Sequence, residues 1–104
     1  MRQVINRIIY DTSKATVIAK GGNDYAQSDH KYEWETLYRT GNGRWFLHGE
    51  GGALSSYAQP LGDNASTGGE RIFAMSDEQA MYWLERHNFV EMMIKHFPQM
   101  LEEA

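Results

Sequence analysis

The chain has 104 residues, a formal net charge of −4, 41% hydrophobic and 23% charged residues, and no cysteine. This is enough for one domain with its own core and too apolar for a disordered tail. The missing cysteines exclude disulfides, thiolate metal sites and cysteine nucleophiles, and no apolar run approaches the ~20 residues of a membrane-spanning helix. A single domain over residues 1–104 is expected, without leader or membrane association and in a reducing, cytoplasmic setting.

The chain reads as β-rich first and helical last. Residues 3–10 (QVINRIIY) are rich in β-branched side chains and predict one strand, which Asp11-Thr12-Ser13 stops. Ala15 to Ala19 predicts a short return strand, broken by Gly21-Gly22-Asn23-Asp24 and followed by a polar loop to about Lys31. The strongest local signal is a hairpin, with Tyr32 to Thr40 and Arg44 to Glu50 joined by Gly41-Asn42-Gly43. Two registers are open. A two-residue Asn42-Gly43 turn pairs Tyr38 with Leu47 and sets Glu35 opposite Glu50. A three-residue loop with a left-handed Gly43 pairs Tyr38 with Phe46 and Thr36 with His48.

Residues 49–69 hold six glycines and Pro60 and read as loop, with at most a helical turn over Ala53 to Ala58. Arg71 to Met75 predicts a short strand. Ser76-Asp77-Glu78-Gln79 is a capping box that opens a helix burying Ala80, Trp83 and Leu84. Asn88-Phe89-Val90-Glu91 repeats that pattern and predicts a second helix with an apolar stripe of Phe89, Val90, Met93, Ile94 and Phe97, ended by Pro98. The expected fold is α+β: a small twisted antiparallel sheet with a central β-hairpin, packed by C-terminal helices.

The charge is uneven. Residues 1–44 carry seven Lys/Arg against five Asp/Glu, and residues 45–104 carry three against nine. The cations are scattered singly, so direct nucleic-acid binding is not expected; the acidic half suits a basic partner surface. Glu35, His48 and Glu50 would converge in the two-residue-turn register and could then hold a divalent metal or act as acid and base. His48-Gly49-Glu50-Gly51-Gly52 lacks the Lys and helix of a phosphate loop, and its glycines are expected to supply positive φ at a bulged strand end. No Gly-x-Ser-x-Gly elbow or His-x-x-x-His pair occurs, so neither a serine hydrolase nor a histidine metal site is expected, and no cofactor is implied. Tyr32, Trp34, Tyr38, Trp45 and Phe46 crowd the hairpin, as core or as an exposed row beside Arg39 and Arg44 suited to binding.

Tyr10-Asp11-Thr12, then Glu35-Thr36-Leu37-Tyr38-Arg39, then Trp45-Phe46-Leu47-His48-Gly49-Glu50-Gly51-Gly52 resemble a family of small bacterial proteins carried on phages, plasmids and integrative elements. The resemblance spans roughly residues 9 to 87. It implies a mobile-element protein, and proteins of that kind include stoichiometric inhibitors of host defence complexes, anti-CRISPR proteins among them. The leading expectation is therefore a non-enzymatic binding protein acting on a host protein complex such as a CRISPR effector. Its expected contact residues are Glu33, Glu35, Arg39, Arg44, Trp45 and Glu50 on the hairpin, with Asp77, Glu78, Glu85 and Glu91 as a second, helical face. The alternative is a small metal- or acid/base-dependent nuclease-like enzyme or toxin–antitoxin component using Glu35, His48 and Glu50.

Overall fold

A computed structural model of residues Met1–Ala104 has eight strands followed by two helices. Residues 3–10 form not one strand but a hairpin, β1 (Arg2–Ile5) and β2 (Ile8–Asp11). Asn6 and Arg7 turn it, at φ 51° and 66°. Two consecutive left-handed residues match strand twist, but arginine is an unusual occupant because its Cβ crowds the carbonyl there.

β3 (Thr16–Gly22) pairs with β4 (Glu33–Arg39) rather than returning on the first hairpin. β4 pairs with β5 (Trp45–Gly51) in the register Tyr38↔Phe46 and Thr36↔His48. The three-residue loop is the reason. Thr40 N–H donates to Arg44 O at 2.8 Å, Gly43 N–H donates to Thr40 O at 2.9 Å, and Gly43 sits at φ 82°.

The segment expected to be loop contains a second hairpin, β6 (Gln59–Gly62) and β7 (Ala65–Thr67), turned by left-handed Asp63 and Asn64. All seven strand residues are exposed, so no alternating apolar pattern marked them. β8 (Gly69–Met75) then returns beside β5, giving an antiparallel four-stranded sheet in the order β3-β4-β5-β8.

Helix α1 (Asp77–Arg86) opens with the expected capping box: Ser76 Oγ accepts the Gln79 N–H, and Gln79 Oε1 accepts the Ser76 N–H. Asn88 does not cap the second helix. It is the left-handed residue (φ 59°) that ends α1, with Phe89 N–H donating to Leu84 O and Asn88 N–H to Glu85 O. Helix α2 (Val90–His96) therefore starts at Phe89 without a side-chain cap, and a 3₁₀ turn follows over Pro98–Met100.

Both sheet faces are covered, unequally. On one, Ala19, Leu37, Trp45 and Leu47 pack against Ala80, Trp83, Leu84, Met93 and Phe97 of the helices. On the other, the β1–β2 hairpin lays Tyr10 against Phe46 and Ile72. Trp45 and Phe46 are thus core residues, and the exposed aromatic row does not form. The α2 stripe is only half buried: Met93 and Phe97 face inward, while Val90 and Ile94 are exposed. No helix is long and apolar enough to cross a membrane.

Candidate functional site

Side chains alternate across a strand, so the register decides which functional groups share a face. Glu35 lies opposite Gly49 and points with Leu37 to the helix side. His48 and Glu50, opposite Thr36 and Trp34, point the other way. The sheet therefore stands between Glu35 and the other two members of the trio, and they share no site. His48 Nε2 instead meets Glu70 Oε2 of β8 at 2.9 Å. Glu50, paired in register with Glu70, accepts a 3.3 Å hydrogen bond from the Tyr32 hydroxyl. Burial, and then the Glu50 charge, push the Tyr32 hydroxyl pKa up. No group of three or more His, Asp or Glu side chains is arranged to hold a metal ion.

Glu35 has acquired a different set of neighbours, from three separate elements. Trp83 Nε1 of α1 donates to its Oε1 at 3.1 Å, and the buried Tyr57 hydroxyl donates to Oε2. Arg86 and His87 stand 3.9 and 4.0 Å from Oε1. Burial first, then the Glu35 carboxylate, raises the Tyr57 pKa well above its ordinary range. Burial first, then the Arg86 charge, lowers that of His87 against the pull of Glu35. Gly49 makes the arrangement possible, because a Cβ there would run into the Tyr57 ring. Space, rather than positive φ, is what the His48–Gly52 glycines provide: Gly51 admits Ser55, and Gly52 lies against the His30 carbonyl.

An open cleft of about 710 Å³ leads to this carboxylate between α1 and the sheet, floored by Leu47, Met75 and Trp83. Chemically, the cluster accepts hydrogen bonds and ties the β5–β6 connection and α1 to the sheet. Tyr57, Trp83, Arg86 and His87 were not among the residues expected at a site. The only sequence signal for them was Gly49 opposite Glu35 in the three-residue-loop register.

The remaining expected contact residues divide cleanly. Glu33 is engaged within the fold, with Oε1 accepting both the N–H and the hydroxyl of Ser56 at 2.6 Å. Trp45 is 2% exposed and cannot meet a partner without unfolding. The Arg39 guanidinium lies 4.9 Å from the Trp45 ring centroid and 3.2 Å from His96 Nδ1. Burial, then the Arg39 and Lys95 charges, lower the His96 pKa. Arg44 is exposed at the hairpin tip, and Asp77, Glu78, Glu85 and Glu91 are exposed on the helices. None of those five forms an ion pair.

No family model, curated protein or solved structure matches this chain.

Proposed function

We propose that this is a non-enzymatic binding protein of a mobile element that inhibits a host defence complex, a CRISPR effector in particular, by occupying a basic protein surface. One observation carries the reading. The carboxylates of Asp77, Glu78, Glu85 and Glu91 stand exposed and without ion-pair partners on the helical layer, while most of the hairpin's polar groups are engaged inside the fold. Unpaired surface charge of one sign steers a molecule toward a surface of the other, and an effector that holds nucleic acid must present such a surface. The resemblance of residues 9 to 87 to mobile-element proteins supplies the choice of target. Engagement needs a rigid acidic face and no reaction, so the protein acts stoichiometrically.

The test is a titration of purified protein against a purified effector, read as target-DNA retention in a mobility-shift assay and as phage survival in plaques. Inhibition at about equimolar protein that weakens with added salt is the expected result. If the chain neither co-purifies with an effector nor protects a targeted phage, the proposal fails.

A further inference from the structure

An apolar groove of about 490 Å³ runs between the end of α1, helix α2 and the C-terminal residues. Its walls are Val90, Met93, Ile94 and Leu101. Val90 and Ile94 lie one turn apart on α2 and remain 51% and 50% exposed, beside Met93 and Phe97, which fill the core. The stripe thus continues the core outward to a surface that nothing in the chain covers. Leu101 closes the far side at 38% exposure.

Charge selects the occupant. Glu85, Glu102 and Glu103 also line the groove, and no basic side chain does. Of the cations on the two helices, Arg86 turns to Glu35, and Lys95 lies four residues after Glu91 on α2, outside the groove lining. A second copy of the chain docked groove to groove would set these carboxylates against their own kind, and an anionic lipid surface would meet the same repulsion. A partner with an apolar stripe flanked by Lys or Arg would satisfy both the walls and the rim.

We propose that this groove docks a basic amphipathic helix of a partner protein, laid along α2 over about two turns, roughly 10 Å. The proposal rests on the binding-protein reading and deepens it by naming the partner element engaged. Val90 and Ile94 provide the anchoring contacts, and Glu85, Glu102 and Glu103 set the orientation and the salt dependence.

The direct test uses the full chain and a fluorescein-labelled synthetic helix with leucines at three- and four-residue spacing flanked by lysines, followed by fluorescence anisotropy. Saturable binding that weakens with salt is expected. Ile94→Gln should weaken it on the order of 10-fold, the loss of one buried anchor. A Glu102→Lys/Glu103→Lys double variant should weaken it similarly, while Asp24→Asn/Asp63→Asn, exposed and outside the groove lining, should leave it unchanged. All five substituted positions are exposed, so circular dichroism should report an intact fold in each case. No binding would overturn the groove proposal. So would equal loss in the Asp24/Asp63 variant, which marks unspecific attraction, or sedimentation as a dimer that Ile94→Gln disperses. Effector inhibition that survives Ile94→Gln while peptide binding is lost sinks the groove alone. Peptide binding without any effector inhibition sinks the proposed function alone.

Discussion

The two faces of the four-stranded sheet are buried by different means. On the helix side, nine buried residues from strands and both helices interlock around Leu37 and Trp83. On the hairpin side, three do, and the cover is a two-stranded ribbon of eight strand residues. A helix brings its own hydrogen bonds and can spend a whole face on packing. A lone hairpin is marginal in water and holds its place only by the side chains it lays down. The helix side should therefore respond to lost volume as a rigid core, and the hairpin side as a cover that can settle.

Leu37→Ala should show this most strongly. Removing a fully buried side chain from the rigid side is expected to cost about 4 kcal/mol, against about 2 kcal/mol for Ile72→Ala beneath the hairpin, since a cavity that can collapse costs less. Urea melts of the two variants measure the difference, and equal costs would erase the contrast.

Acid should also act on one side. Both imidazoles with lowered pKa, His87 and His96, belong to the helix side, the first because of burial and Arg86, the second because of burial, Arg39 and Lys95. The unfolded chain therefore binds more protons below the ordinary histidine value. The stability these groups contribute is whole above about pH 6.5 and is lost as pH falls through the folded-state values. A proton on His96 would also place a second cation beside Arg39, whose Nε already lacks a partner. Melts at about pH 7.5 and about pH 5.5 should show the loss, smaller in His96→Gln, because that change removes one of the two linked groups.

The hairpin side can be tightened. Arg7→Gly relieves a left-handed arginine at the β1–β2 turn and should add about 0.5 kcal/mol, the relief of strain less the extra freedom glycine has in the unfolded chain. It should raise Tm and slow hydrogen exchange in β1 and β2 before any change appears in α1. The smallest effect belongs to β6–β7, which covers neither face. Leu61→Ser there, at a position 67% exposed, should leave stability within about 0.5 kcal/mol.

The elements that could be read from the sequence are those whose signal is local. Ser76 and Gln79 bond each other's backbone three residues apart, so the start of α1 was visible. Gly43 made the three-residue loop one of two possibilities, and nothing local chose between them. That choice moved Glu35 to the opposite face from His48 and Glu50, so the trio was lost to a shift in pairing of a single residue. Asn88 carries the same Asn-x-x-Glu spacing as a cap. Only the bonds from Asn88 and Phe89 back to Glu85 and Leu84 reveal it as a helix end. The Asn6–Arg7 turn was hidden because arginine is not a turn signal. The Glu35 cluster was hidden because Tyr57, Trp83 and His87 lie 22, 48 and 52 residues away in sequence and meet it only through the fold.

The sheet ends in two strands, β3 and β8, whose outer edges each carry a feature that opposes further pairing. β3 slips register between Val17 and Ala19 and carries Lys20 on its exposed surface. On β8, the outward N–H of Ile72 is taken by the Gln3 side chain from β1, at 3.2 Å. A slipped strand with a lysine resists another strand laid alongside it, and a side-chain amide parked on the ladder occupies the donor such a strand would need. The first hairpin thus guards the sheet's margin as well as covering its face. Copies of the chain are thereby discouraged from zipping together along the margins of the sheet.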